Sequence, residues 1–140
     1  MEVITLERTL TELDHVRLLN LLRRNASGDV SSEHVRVIED ILDASSLVPS
    51  RQVPPDVVTM YSQVLLQDME TGQQRKLTLC YPADAEPANG FVSVLSPVGC
   101  ALLGLRVGGV ARWSTPGSDV KTSEILAVLF QPESSGDYSM

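Results

Sequence analysis

A chain of 140 residues with 43% hydrophobic content is long enough for one packed domain, or one domain with a short appendage, and too apolar to remain disordered. Its net charge of −7 is spread evenly, nine acids and five bases over residues 1–50 and nine acids and six bases over 51–140, so no basic patch forms. That disfavours direct binding to nucleic acid and adhesion to an anionic membrane, and points to a partner with a basic or apolar surface. No apolar run approaches the roughly 20 residues needed to span a bilayer. Met1-Glu2-Val3 carries an acid where a secretory signal needs bases, so a cytoplasmic protein is expected.

In chain order, Val3-Ile4-Thr5-Leu6 is compatible with a short extended lead. Thr11 is placed to cap a first helix, with Glu12 and Asp14 in the first turn where acids favour the helix dipole. Leu13, Val16, Leu19 (or Leu18) and Leu22 recur at helical spacing, and turn residues stop the helix near Asn25. Ser31 is a second candidate cap, with Val30 and Val35 at the spacing of a hydrophobic staple. Val35, Ile38, Ile41 and Leu42 then form one apolar face, opposite Glu33, Arg36, Glu39, Asp40 and Asp43. Two amphipathic helices joined by a short polar turn predict an antiparallel helical hairpin over residues 1–48, either projecting or folded back onto the remainder. Residues 49–56 read as a proline-rich linker, since Pro49, Pro54 and Pro55 cannot continue a helix.

From residue 57 the hydrophobic period changes. Val57 to Leu66 is β-rich, Asp68 to Gln73 is turn chemistry, and Arg75 to Tyr81 alternates, which together predict a hairpin. Phe91 to Leu95 is another short strand. Gly99 to Gly104 is a short apolar helix, with Pro97 just inside its start and Ser96 as its cap. Ala111–Ser114 and Ser123–Phe130 complete the strands, and the tail beyond Pro132 is polar and expected to fray. Residues 57–140 therefore predict an α+β domain, a twisted antiparallel sheet with one packed helix. Small residues at Gly99, Ala101 and Gly104 would let that helix approach the sheet closely.

Cys80 and Cys100 sit in apolar company and are expected to be reduced, buried thiols. His15 and His34 lie in helical patterns away from both cysteines, so zinc is disfavoured. No P-loop is present, and no Ser/His/Asp grouping has a nucleophilic motif. Neither catalytic residue nor cofactor nor metal is expected.

The segment Ser93-Val94-Leu95-Ser96-Pro97-Val98-Gly99-Cys100-Ala101-Leu102-Leu103-Gly104-Leu105-Arg106-Val107-Gly108 resembles the C-terminal domain of the GreA/GreB family, and the resemblance continues into Glu124-Ile125-Leu126. It implies a domain folded like the FK506-binding proteins. The scarcity of aromatic residues argues against the prolyl isomerase activity which that fold also supports. The blocks Val53–Met60, Ala101–Gly108 and Gln131–Tyr138 resemble the short-hairpin members of the family, which are named for regulating nucleoside diphosphate kinase. The resemblance implies RNA polymerase as the partner, a non-enzymatic role at the rim of its secondary channel in competition with Gre-type factors, and an indirect effect on nucleoside diphosphate kinase levels. Direct regulation of that kinase is the alternative.

By the same resemblance, contact with polymerase is expected at Ser96 and Pro97, with Leu95 and Val98 beside them. Leu95 stands where cleavage factors tend to have an acid. Those factors also carry two acids at the tip of a long coiled coil, where hard carboxylate oxygens help to hold Mg²⁺. Here the tip includes Ser27, Gly28 and Asp29, with Asp29 its one acid, on short arms, so no stimulation of transcript cleavage is expected. A monomer or weak dimer is expected.

Overall fold

The computed structural model describes residues 8–24, 32–114 and 120–136, with residues 32–34 described by their backbone. Two helices, β1–β2, and a five-stranded sheet carrying one short helix make a mixed α+β fold. Strand β1, Thr9–Thr11, leads straight into helix α1, Glu12–Arg24. The Thr11 hydroxyl accepts from the Asp14 N–H at 3.0 Å, the expected cap. Helix α2 runs Ser32–Ala44 and is followed by β2, Ser46–Val48. β1 and β2 pair in parallel, Thr9 opposite Ser46 and Thr11 opposite Val48, so the start of α1 and the end of α2 are tied at one place.

The larger sheet has the order β5-β4-β3-β7-β6, from β3 (Gln63–Asp68), β4 (Gln74–Cys80), β5 (Phe91–Ser93), β6 (Val110–Ser114) and β7 (Val120–Phe130). Alternation decides the faces: Val64 and Leu66 of β3 and Leu77 and Leu79 of β4 point inward, while Gln63, Leu65 and Gln67 face outward. The β3–β4 turn forms as its residues dictate. The Asp68 carboxylate accepts from the N–H groups of Glu70 (2.8 Å) and Thr71 (3.0 Å), and Gly72 takes φ 75°. Helix α3, Pro97–Leu102, packs against the inner face.

Three expectations for residues 57–140 are corrected. The first strand of the sheet begins at Gln63 rather than Val57. The stretch before it turns at Thr59–Ser62, with Tyr61 at φ 65° and the Thr59 and Ser62 hydroxyls bonded at 2.9 Å. Val57 and Val58 instead lie beside the exit of α3, where the Val58 N–H donates to the Leu105 carbonyl at 2.8 Å. The sheet is not wholly antiparallel: β5 runs parallel to β4, Thr78 opposite Phe91. The tail is held as far as Gly136. Gln131 is buried and donates through Nε2 to the carbonyls of Pro54 and Val57, each at 2.8 Å, and buried Glu133 accepts from the Thr59 hydroxyl at 2.7 Å.

One buried cluster joins the two halves. Leu10, Leu18, Ile38 and Leu42 belong with Val58, Met60, Val64, Leu79, Leu102, Leu103 and Ile125. The face of α1 that packs inward is centred on Leu18. Val16, placed on the apolar face by spacing alone, is 54% exposed, and Asp14 is buried instead. Among the described residues no helix is long and apolar enough to cross a membrane.

Candidate functional site

The corner between β5 and α3 is built from its own side chains. Ser93 closes the strand: its hydroxyl accepts from the Leu95 N–H at 3.0 Å, and its carbonyl receives the Ser96 N–H at 3.0 Å and the Ser96 hydroxyl at 2.6 Å. The same Ser96 oxygen accepts from the Gly99 N–H at 3.2 Å, the N-cap bond of α3. Both functions of that hydroxyl are therefore engaged within the corner. Pro97 follows at the first helical position, where its missing N–H costs nothing and its fixed φ suits the helix. Its ring is exposed, while Leu95 and Val98 are half-buried against the core. Of the four residues expected here, Pro97 thus projects, Ser96 stiffens the turn, and Leu95 and Val98 seat it.

The close approach of α3 to the sheet has a single cause. A Cβ on Gly99 would lie 2.0 Å from the Ser93 carbonyl oxygen, so only glycine fits. The far end of α3 is fixed from the N-terminal half. The Arg8 guanidinium donates through one nitrogen to the carbonyls of Cys100 (2.9 Å) and Leu103 (2.8 Å), two of the acceptors that a helix end leaves unpaired. The Thr9 N–H donates to Gly104 O at 3.0 Å, and Gly104, at φ 78°, returns its N–H to the Val58 carbonyl. Ala101, Leu102 and Leu103 are all buried, so the Ala-Leu-Leu-Gly block holds the fold and presents nothing to a partner. Cys80 and Cys100 are free and buried, and burial pushes both thiols up from their ordinary range.

A buried polar group that spacing did not reveal ties α1 to the loop before β3. Asp14, on α1, accepts from the Met60 N–H at 3.2 Å. Burial pushes its carboxyl up to about 6; the Met60 and Thr11 bonds and Arg17 oppose that shift, and the Glu133 carboxylate adds to it. The one legible signal was an acid on the helix face that also carries Leu18. The tip residues Ser27, Gly28 and Asp29 lie outside the described residues. No group of three or more metal-ligating side chains forms among the described residues.

Residues 53–130, which hold the corner, α3 and the whole five-stranded sheet, match the family model "Transcription elongation factor, GreA/GreB, C-term". The chain belongs to the GreA/GreB family. A GreA/GreB structure from Nitrosomonas europaea, described as a prokaryotic transcription elongation factor, superimposes with a TM-score of 0.73 at 32% identity, over 90% of this chain and all of that one. The regulator of nucleoside diphosphate kinase of Escherichia coli K12 is 43% identical over 97 residues, covering 69% of this chain and 71% of that protein. The elongation factor GreA of Solidesulfovibrio magneticus is 31% identical over 116 residues, 78% of this chain and 70% of its own length. The GreA/GreB match thus begins in the proline-rich segment and ends with β7, and the two helices precede it.

Proposed function

We propose that this protein is a non-enzymatic transcription regulator that binds RNA polymerase at the rim of its secondary channel through the Leu95–Val98 corner. There it competes with Gre-type factors without stimulating transcript cleavage. The observation that carries this reading is the projecting Pro97 on a corner stiffened by Ser93 and Ser96, within the segment matched to the GreA/GreB C-terminal domain. The chain is read as a short helical hairpin appended to an FK506-binding-protein-like domain. Its helices have 13 residues each, so an arm reaches about 20 Å. With Asp29 as its single tip acid, such an arm neither reaches nor completes a Mg²⁺ site that calls for paired carboxylates.

The test is co-elution with core polymerase and displacement of a Gre factor from it. Pro97→Arg should weaken binding by about tenfold at a stability cost of no more than about 1 kcal/mol from the lost proline rigidity, because Pro97 is exposed and donates no hydrogen bond. Absence of co-elution, or faster cleavage of backtracked transcripts on adding the protein, would refute the reading. The name of the Escherichia coli relative supports a second one, control of nucleoside diphosphate kinase. We assign it to an indirect, transcriptional route. Altered kinase activity on mixing the two purified proteins would make it direct.

A further inference from the structure

Helix α3 has six residues, about 9 Å of rise, and covers only part of the sheet's inner face. Beside it that face opens into a cleft of about 400 Å³. Leu66 and Asp68 of β3, Arg75 of β4, Trp113 of β6 and Lys121 of β7 line it, with Val98 of α3 as a wall. Register places Arg75 across from Leu66, and Lys121 across from Trp113. Among the described residues no hydrogen bond or salt bridge engages the Arg75 side chain, while the Lys121 ammonium faces Asp68 and, after the Thr71 and Glu70 N–H bonds, helps to hold its carboxyl below the usual carboxylate range. Asp68 is already occupied by the turn N–H groups of Glu70 and Thr71. In a chain of net charge −7, the cleft therefore sets two cations against one acid that the turn N–H groups already occupy, an excess of one positive charge beside a half-buried indole. Val98 belongs both to the cleft and to the corner, so the two surfaces are continuous.

We propose that this cleft receives an acidic segment of the polymerase surface on which the corner docks, a carboxylate pairing with Arg75 and Lys121 while a flanking apolar side chain lies on Trp113 and Val98. The proposal rests on the polymerase-binding reading above. Arg75 can take a carboxylate through two parallel N–H bonds, and Lys121 adds a point charge. Two cations with Asp68 at the floor match one carboxylate. A phosphate backbone demands a longer track of bases, which the chain lacks.

Trp113 is the chain's single tryptophan, so its emission reports the cleft directly in the free protein. The peptide acetyl-Glu-Glu-Leu-Glu-Glu-amide should shift that emission saturably, with an affinity of about millimolar. Its all-Gln counterpart should bind about fivefold more weakly, and 0.5 M salt, at roughly a 4 Å Debye length, should suppress the response. The double variant Arg75→Glu, Lys121→Glu should abolish the shift and weaken polymerase binding about tenfold at an unchanged melting temperature, and Arg75→Lys with Lys121→Arg should retain most of it. Silence of Trp113 toward the peptide, a larger response to a dodecathymidylate than to the peptide, or wild-type polymerase affinity in the charge-reversed variant would each overturn the proposal. Failure of the wild-type chain to bind polymerase while the peptide still shifts Trp113 would instead overturn the functional reading, and with it polymerase as the owner of the acidic segment.

Discussion

Asp14→Asn isolates the energetics of the buried carboxyl that joins α1 to the loop before β3. In the folded protein burial lifts the Asp14 pKa from 3.8 to about 6, against the pull of the Met60 N–H, the Thr11 hydroxyl and Arg17. An acid with a higher pKa folded than unfolded keeps its proton longer in the folded state. Its charged form therefore destabilises the fold: the cost is absent below pH 3.8, grows between 3.8 and about 6, and is constant above. At about 1.4 kcal/mol per pH unit, that interval corresponds to about 3 kcal/mol. Asparagine keeps the shape and an oxygen to accept from Met60, and it removes the repulsion from the Glu133 carboxylate, so the variant should recover much of this cost. Guanidinium unfolding at pH 4, 5, 6, 7 and 8 should show Asp14→Asn roughly equal to wild type at pH 4 and more stable by about 1–3 kcal/mol at pH 8. A variant less stable than wild type at pH 8, or a difference that does not vary with pH, would refute the reasoning and mean that the carboxylate is stabilised by its neighbours.

Gly99→Ala should be among the most damaging single substitutions, costing about 3 kcal/mol or more, because the added methyl meets the backbone oxygen of Ser93 at 2.0 Å; the denaturant midpoint reads this, and an unchanged midpoint would mean that α3 can move. Arg8→Met keeps the aliphatic stem but removes the donors to the Cys100 and Leu103 carbonyls, so a loss of about 2–3 kcal/mol is expected in the same measurement. Ser96→Ala removes the N-cap bond and the bond to Ser93, for about 1–2 kcal/mol of stability. It should also weaken polymerase binding less than Pro97→Arg does.

Local chemistry was legible wherever a residue acts on its neighbours in sequence. Thr11 capping α1, the Asp68–Gly72 turn, the inward Val64, Leu66, Leu77 and Leu79, and the Ser96–Pro97 start of α3 all follow from bonds spanning five residues or fewer, or from a period of two. The close packing of α3 was legible too, because a glycine on an apolar helix has few other uses. Pairings across long separations were not. The parallel β1–β2 pair joins two three-residue strands 37 positions apart, one of them beside Pro49, and nothing within three residues encodes a partner. The parallel placement of β5 was hidden for the same reason.

The sequence by itself determined the two long helices, the chain order of the strands of the larger sheet and the corner that begins α3, since caps, turns and alternating side chains act within a few residues of themselves. Only the tertiary structure decided that Asp14 is buried, that Arg8 closes the far end of α3, and that Gln131 and Glu133 fasten the tail. It alone gathered Arg75 and Lys121 beside Trp113. The physical reason is that burial and charge are properties of a neighbourhood, and these neighbourhoods are assembled from strands and helices that lie far apart along the chain.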